Sequence, residues 1–188
     1  MKINNLYKRF GNKVIFNGSS FNFEDGKITY ILGESGVGKT TLLRIIAGLD
    51  KDFTGEIIGS SDKISYVFQE PRLFPSLTVS ENICIVNESS PYSINEILEL
   101  VELLPEKDAF PDTLSGGMKM RVALARAIYN NADLFVMDEP FSALNDELKE
   151  RILPRIFDYL KGKCVIIVSH NVEEANTYAD SIIQLNDN

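Results

Sequence analysis

An α/β fold with a mostly parallel sheet covered by helices is the class this sequence predicts, and three observations predict it. Short apolar runs recur at 27–32, 63–68, 132–137, 163–168 and 180–185. Several are near-continuous rather than alternating, the pattern of strands covered on both faces. Stretches with helical apolar spacing or a helix start signal follow at 39–49, 93–104, 116–130, 146–161 and 171–179.

Taken in chain order, residues 1–26 read as shorter alternating strands with turns at Phe10-Gly11-Asn12 and Glu24-Asp25-Gly26, a small antiparallel layer joined to the main sheet. The run 27–32 is the first strand of that sheet. Residues 71–112 carry Pro71, Pro75, Pro91, Pro105 and Pro111 among short helical stretches, so an inserted helical sub-lobe is expected, reaching over about 71–130 once the next helix is included. The remaining runs then alternate as strand, helix, strand, helix, strand. At 188 residues and 21.1 kDa, with 44% hydrophobic and 24% charged residues, one folded domain spanning 1–188 is the expectation.

Charge and composition narrow the function. The net charge of -8 and pI near 4.8 oppose broad attraction to phosphate backbones, so no nucleic acid is expected as a partner. Cys84 and Cys164 are isolated and only one histidine is present, which suits two free thiols rather than a zinc site or a disulfide framework. No apolar run reaches the roughly 18 residues that cross a bilayer, and the stretch MKINNLYKRF has no signal-peptide core. Work at a membrane would require a partner to hold the chain there.

The stretch Gly33-Glu34-Ser35-Gly36-Val37-Gly38-Lys39-Thr40-Thr41 fits G-x-x-x-x-G-K-[ST] and stands after a strand and at the opening of a helix, where that pattern must stand. Its glycines let backbone N–H groups converge on phosphate, and the helix N-terminus adds donors and a positive dipole end. Lys39 would reach the β and γ phosphates and Thr40 would ligate Mg²⁺. The fold class is therefore a P-loop NTPase that binds a nucleoside triphosphate with Mg²⁺. A tight strand-to-helix turn with an incidental lysine is the bland alternative.

Further along, LFVMDEP (134–140) delivers two carboxylates to the C-terminal end of a strand, where α/β sheets place ligands. Asp138 suits a Mg²⁺ contact and Glu139 suits polarising the attacking water. Gln69 follows the run at 63–68 and His170 follows that at 163–168. An amide there orients water or touches the metal without adding charge, and a histidine can bond the γ-phosphate. Finally, Ser115, Gly116 and Gly117 open the helix at 116–130, a second helix N-terminus with a hydroxyl and bare backbone donors suited to an anion.

With these pieces in order the sequence resembles the ATP-binding subunits of ABC transporters over nearly its whole length. The matching motifs are the P-loop GESGVGKT, the Q-loop Gln69, the signature LSGGM, the acidic strand LFVMDEP, the D-loop SALN (142–145) and the switch histidine His170. The resemblance implies that Phe10 stacks on adenine, with Tyr7 as its competitor. It also implies that two cassettes, identical or paired, sit head to tail, so that Ser115 and Gly117 serve ATP held by the partner's P-loop. Glu139 would be the general base, and the sub-lobe and Gln69 loop would pass motion to membrane permease subunits. The segment YVFQEPRLFPSLTVSENI (66–83) resembles importer subunits for nitrate, sulfonate and taurine, which work with a solute-binding protein. A minimal cassette, cytoplasmic and peripheral on the inner face of the membrane, is the expectation.

Two residues depart from the family pattern: Met118 stands where glutamine is commonest, and Asn145 where aspartate is usual. The second reading is a soluble ATPase of the same family acting on nucleic acid or ribosomes. The acidic charge and the lack of coiled coils or a second fused cassette weigh against it.

Overall fold

The computed structural model describes residues 1–186 and divides the chain into two compact units: 1–64 with 133–138 and 162 onward, and 65–132 with 139–161. The first unit begins with β1 (Lys2–Phe10) and β2 (Lys13–Asn22), which pair antiparallel and are joined on the other side of β1 by β4 (Thr54–Ile58). These are longer strands than the sequence leads one to expect, and they form a sheet of their own rather than an edge of the parallel one. β4 was not foreseen: four of its five residues are exposed, so no apolar alternation marks it, and only pairing with β1 makes it a strand.

The parallel sheet has the order β5-β6-β7-β3-β8, with β3 Ile28–Leu32, β5 Ile64–Val67, β6 Leu134–Asp138, β7 Cys164–Val168 and β8 Ser181–Gln184. All five match the apolar runs. β6 and β7 are buried at every position, as continuous apolar strands require. β7 pairs in parallel with both β6 and β3, which brings the strand ends carrying Asp138 and the start of the Gly33 loop to the same edge. Helix α1 (Lys39–Ile46) follows that loop, and α6 (Val172–Tyr178) follows β7.

The second unit is helical: α2 (Val79–Cys84), α3 (Ile94–Leu100), α4 (Gly116–Tyr129) and α5 (Asp146–Tyr159). It takes in 139–161 besides the stretch expected of the sub-lobe. Helices end earlier than their apolar spacing runs: after α1, Gly48 turns left-handed at φ +68, and after α3, Glu102 does so at φ +53. Helix α2 has a full capping box, with the Thr78 hydroxyl accepting from Glu81 N and the Glu81 carboxylate accepting from Thr78 N, a local T-x-x-E signal.

Candidate functional site

In the first unit the loop 33–38 closes into a nest. Gly38, the residue before α1, sits at φ +106, and a Cβ there would lie 2.5 Å from Ile15 Cγ2 and 3.1 Å from Phe16. Only glycine fits, on conformation and on space. The Lys39 side chain is buried, and its ammonium donates to the carbonyls of Gly33 (2.7 Å) and Glu34 (2.8 Å). The positive charge therefore lies within the loop, while Glu34, Ser35 and Gly36 are exposed along its rim and Val37 is anchored in the core. Lys13 from β2 donates to the Gly36 carbonyl at 3.3 Å, a contact that the motif alone does not reveal.

Asp138, the last residue of β6, is 3% exposed. Burial pushes its carboxyl above the usual range, while a hydrogen bond with the Thr40 hydroxyl and the charge of Lys39 pull the other way without overcoming it. A buried, desolvated carboxylate joined to a hydroxyl at the mouth of a phosphate loop is a hard-oxygen donor pair, the chemistry Mg²⁺ prefers when phosphate oxygens and water complete its shell. Thr41 continues the helix one residue further on and is half-buried. His170, exposed, follows β7; the backbone at its flanks is fixed by Ser169 N donating to Ile31 O (3.3 Å) and Asn171 N donating to Ser169 Oγ (3.1 Å).

Phe10 and Tyr7 are 53% and 48% exposed. Tyr7 lies against Gly18, where a Cβ would come within 2.9 Å of its hydroxyl oxygen, and lines a cleft of about 530 Å³ with Arg9, Val14 and Asn17. Phe10 does not line it; its ring lies over the Lys8 ammonium at 4.7 Å. Lys8 escaped the sequence reading. A lysine inside a strand, with the acidic pair of LDKD at 49–52, was the only signal for it.

The second unit holds the other candidates. Ser115 caps α4 in extended conformation, its hydroxyl accepting from Met118 N at 3.2 Å. Gly116 has nothing within 4 Å of a built Cβ, whereas at Gly117 that atom would lie 2.8 Å from the Ala143 carbonyl oxygen. Met118 thus contributes its backbone N–H to the cap, which any residue supplies. Asn145 caps α5, its side-chain oxygen accepting from Leu148 N at 3.0 Å; aspartate and asparagine do this equally well, so the departure leaves the local fold intact. Glu139 adopts φ +50, left-handed for a non-glycine residue, and its carbonyl accepts from the Ser142 hydroxyl at 2.9 Å and from Ser142 N at 3.3 Å. Such conformations cost about 1–3 kcal/mol and gather at active sites. Gln69 is exposed just past β5.

Comparison with known proteins identifies the family. The family model described as "ABC transporter" matches residues 16–142. The aliphatic sulfonates import ATP-binding protein SsuB 1 of Pseudomonas syringae pv. syringae (strain B728a) is 36% identical over 188 residues, covering 97% of this chain and 79% of its own. The Fe(3+) ions import ATP-binding protein FbpC of Haemophilus influenzae (strain 86-028NP) is 38% identical, covering 97% and 58%. Among solved structures, the dimeric post-hydrolysis state of the ATP-binding cassette MJ0796 bound to ADP and Pi superposes with a TM-score of 0.83 at 31% identity, over 98% of this chain and 93% of that one. With its phosphate loop, acidic strand and matched length together, the chain belongs to the ABC transporter family as an ATP-binding subunit with ATPase activity.

Proposed function

We propose that this chain powers solute import through membrane permease subunits, as a cassette that pairs head to tail with a second one around ATP. The observation that carries this reading is the presence of two anion-suited helix starts of different build: the Gly33–Thr41 loop with its lysine, and the capped start of α4 at Ser115. One nucleotide per cassette engages the first directly, and the second serves the partner's nucleotide. Backbone N–H groups of 33–38 and the start of α1 bind phosphate oxygens, and Lys39 moves from the loop carbonyls to the β and γ phosphates. Thr40 and Asp138 would hold Mg²⁺, with Gln69 as a further ligand, and the ion would neutralise charge on the phosphate oxygens when bound.

Glu139 is the general base that takes the proton of the attacking water, and His170 bonds the γ-phosphate. Phe10 is the platform for adenine. The whole of 1–188 acts as one cassette, peripheral on the inner face of the membrane and held there by the permease, with a solute-binding protein on the far side. Support for import comes from the relatives named as import ATP-binding proteins.

The Glu139→Gln protein tests the pairing. With ATP it is expected to run as a stable dimer on a sizing column while hydrolysis falls to background, because water activation alone is lost; a monomer at saturating ATP would sink the head-to-tail reading. Purification of the tagged chain from gently solubilised membranes should recover a polytopic permease. Recovery of soluble partners alone at good yield would remove the transport role.

A further inference from the structure

A deeply buried cation of the first unit lies beside Phe10. The Lys8 side chain in β1 is 2% exposed. Its ammonium donates to the Asp50 carboxylate at 2.9 Å, to the Asp52 carbonyl at 2.5 Å and to the Asp52 carboxylate at 3.3 Å. Its position over the Phe10 ring completes its surroundings. The two aspartates follow α1 closely: Leu49 N and Asp50 N both donate to the Arg44 carbonyl, at 2.8 and 3.1 Å, and Asp52 N donates back to the Asp50 carboxylate at 3.0 Å. The segment bearing the carboxylates is thus tied to the last turn of the helix that Lys39 begins.

We propose that Lys8 is a positioning residue for base recognition, holding the Phe10 ring in register with the P-loop helix so that base platform and phosphate loop form one preorganised unit. This rests on the reading of Phe10 as the adenine platform. A phenylalanine that is 53% exposed, at a strand end beside the Gly11 turn, would otherwise sample several rotamers, and ordering it on binding costs affinity. A cation over one ring face is attracted by the ring quadrupole with about 0.5–1 kcal/mol, and it leaves the opposite face for a base. The cation is itself held in place by three acceptors that match its three donors.

The ion pair stays charged at neutral pH. Burial alone lowers the Lys8 ammonium, but its bonds to Asp50 and Asp52 together with their negative charges outweigh that and raise it; burial pushes the Asp50 carboxyl up, and the Lys8 bond, the Asp52 N–H and the positive charges of Lys8 and Arg44 together outweigh that and lower it. A strap that only tied β1 to the segment after α1 would support nucleotide and bare triphosphate equally, and this separates the two roles.

The test compares dissociation constants for ATP and for inorganic triphosphate in the full chain. Phe10→Ala is expected to weaken ATP and leave triphosphate unchanged. Lys8→Met should weaken ATP about two- to fivefold with triphosphate unchanged, Lys8→Arg should recover most of the loss, and Lys8→Met with Phe10→Ala should bind ATP no worse than Phe10→Ala alone. Equal weakening of both ligands by Lys8→Met, no weakening of either, or full additivity in the double variant would overturn the assignment. If Phe10→Ala leaves ATP binding intact, the platform reading itself fails and takes the Lys8 role with it. Should Lys8→Met not fold, Asp52→Ala replaces it: this side chain is 97% exposed, an ATP-specific loss is again expected, and its absence would overturn the role.

Discussion

The starts of α1 and α4 look alike on paper, each a glycine-rich loop running into a helix, yet their glycines do different work. Before α1, Gly38 is required by a left-handed φ of +106 and by the Ile15 and Phe16 side chains pressed against it, and no side chain caps the helix. At α4 the glycines have ordinary helical backbone, Ser115 supplies the cap, and Gly117 is needed only because the Ala143 carbonyl passes within 2.8 Å of where a Cβ would be. The first loop owes its shape to main-chain conformation and close packing, and the second keeps a bare, capped helix end close to Ala143. A regular expression for glycines near a helix does not separate these two cases, whereas φ angles and neighbours do.

Substitutions sharpen that contrast, beginning with the largest expected effect. Gly38→Ala should cost about 3–4 kcal/mol, backbone strain and overpacking together, read as a fall in the midpoint of urea unfolding; a cost below that of Gly117→Ala would break the distinction. Lys39→Ala should weaken ATP about a hundredfold, the worth of charge-assisted hydrogen bonds near 3 kcal/mol, measured by equilibrium titration. Ser115→Arg should leave that affinity unchanged while abolishing hydrolysis, and loss of both together would place the α4 start on the chain's own nucleotide. Gly117→Ala should cost about 1–2 kcal/mol as the Ala143 carbonyl is displaced, and Gly116→Ala, with open space around it, should gain up to about 1 kcal/mol from helix propensity.

A further stabilising effect is expected at Asp138. Its carboxyl is raised in the folded state, first by burial, so the ionised form is less welcome there than in the unfolded chain. The resulting cost is absent below the unfolded carboxylate range, near pH 3.9, and complete above the raised folded value. Asp138→Asn should therefore raise the thermal midpoint of the nucleotide-free protein at pH 7, by about 2–4 °C per kcal/mol recovered, with the gain shrinking as the pH is lowered toward 4. The same change should remove the benefit of Mg²⁺ to ATP binding. A lower midpoint at pH 7 would show that the buried carboxylate is held for stability rather than for a cation.

Much of this site was legible because its signals are local. The P-loop motif, the acidic strand end and the Ser115 helix start are each written within a few consecutive residues, and each follows from what a short stretch of backbone can satisfy by itself. The five parallel strands announce themselves by unbroken apolar runs such as 134–137 and 164–168, fully buried in the fold. What went unread had no local mark. β4 is mostly exposed and becomes a strand only against β1, and Lys8 looks like any strand lysine until Asp50 and Asp52 close around it from 42 and 44 residues away.

By itself, then, the sequence determined the elements from which the site is proposed: a P-loop motif, an acidic strand end, a capped second helix start and the strands to carry them, since each depends on short-range geometry and residue type. Only the tertiary structure decided the strand order, the contact between Thr40 and Asp138, the separate antiparallel sheet, and the carboxylates that bury the lysine beneath Phe10. Those depend on which distant segments meet, and the free energy that selects among such pairings is spread over the whole core rather than written in any one stretch.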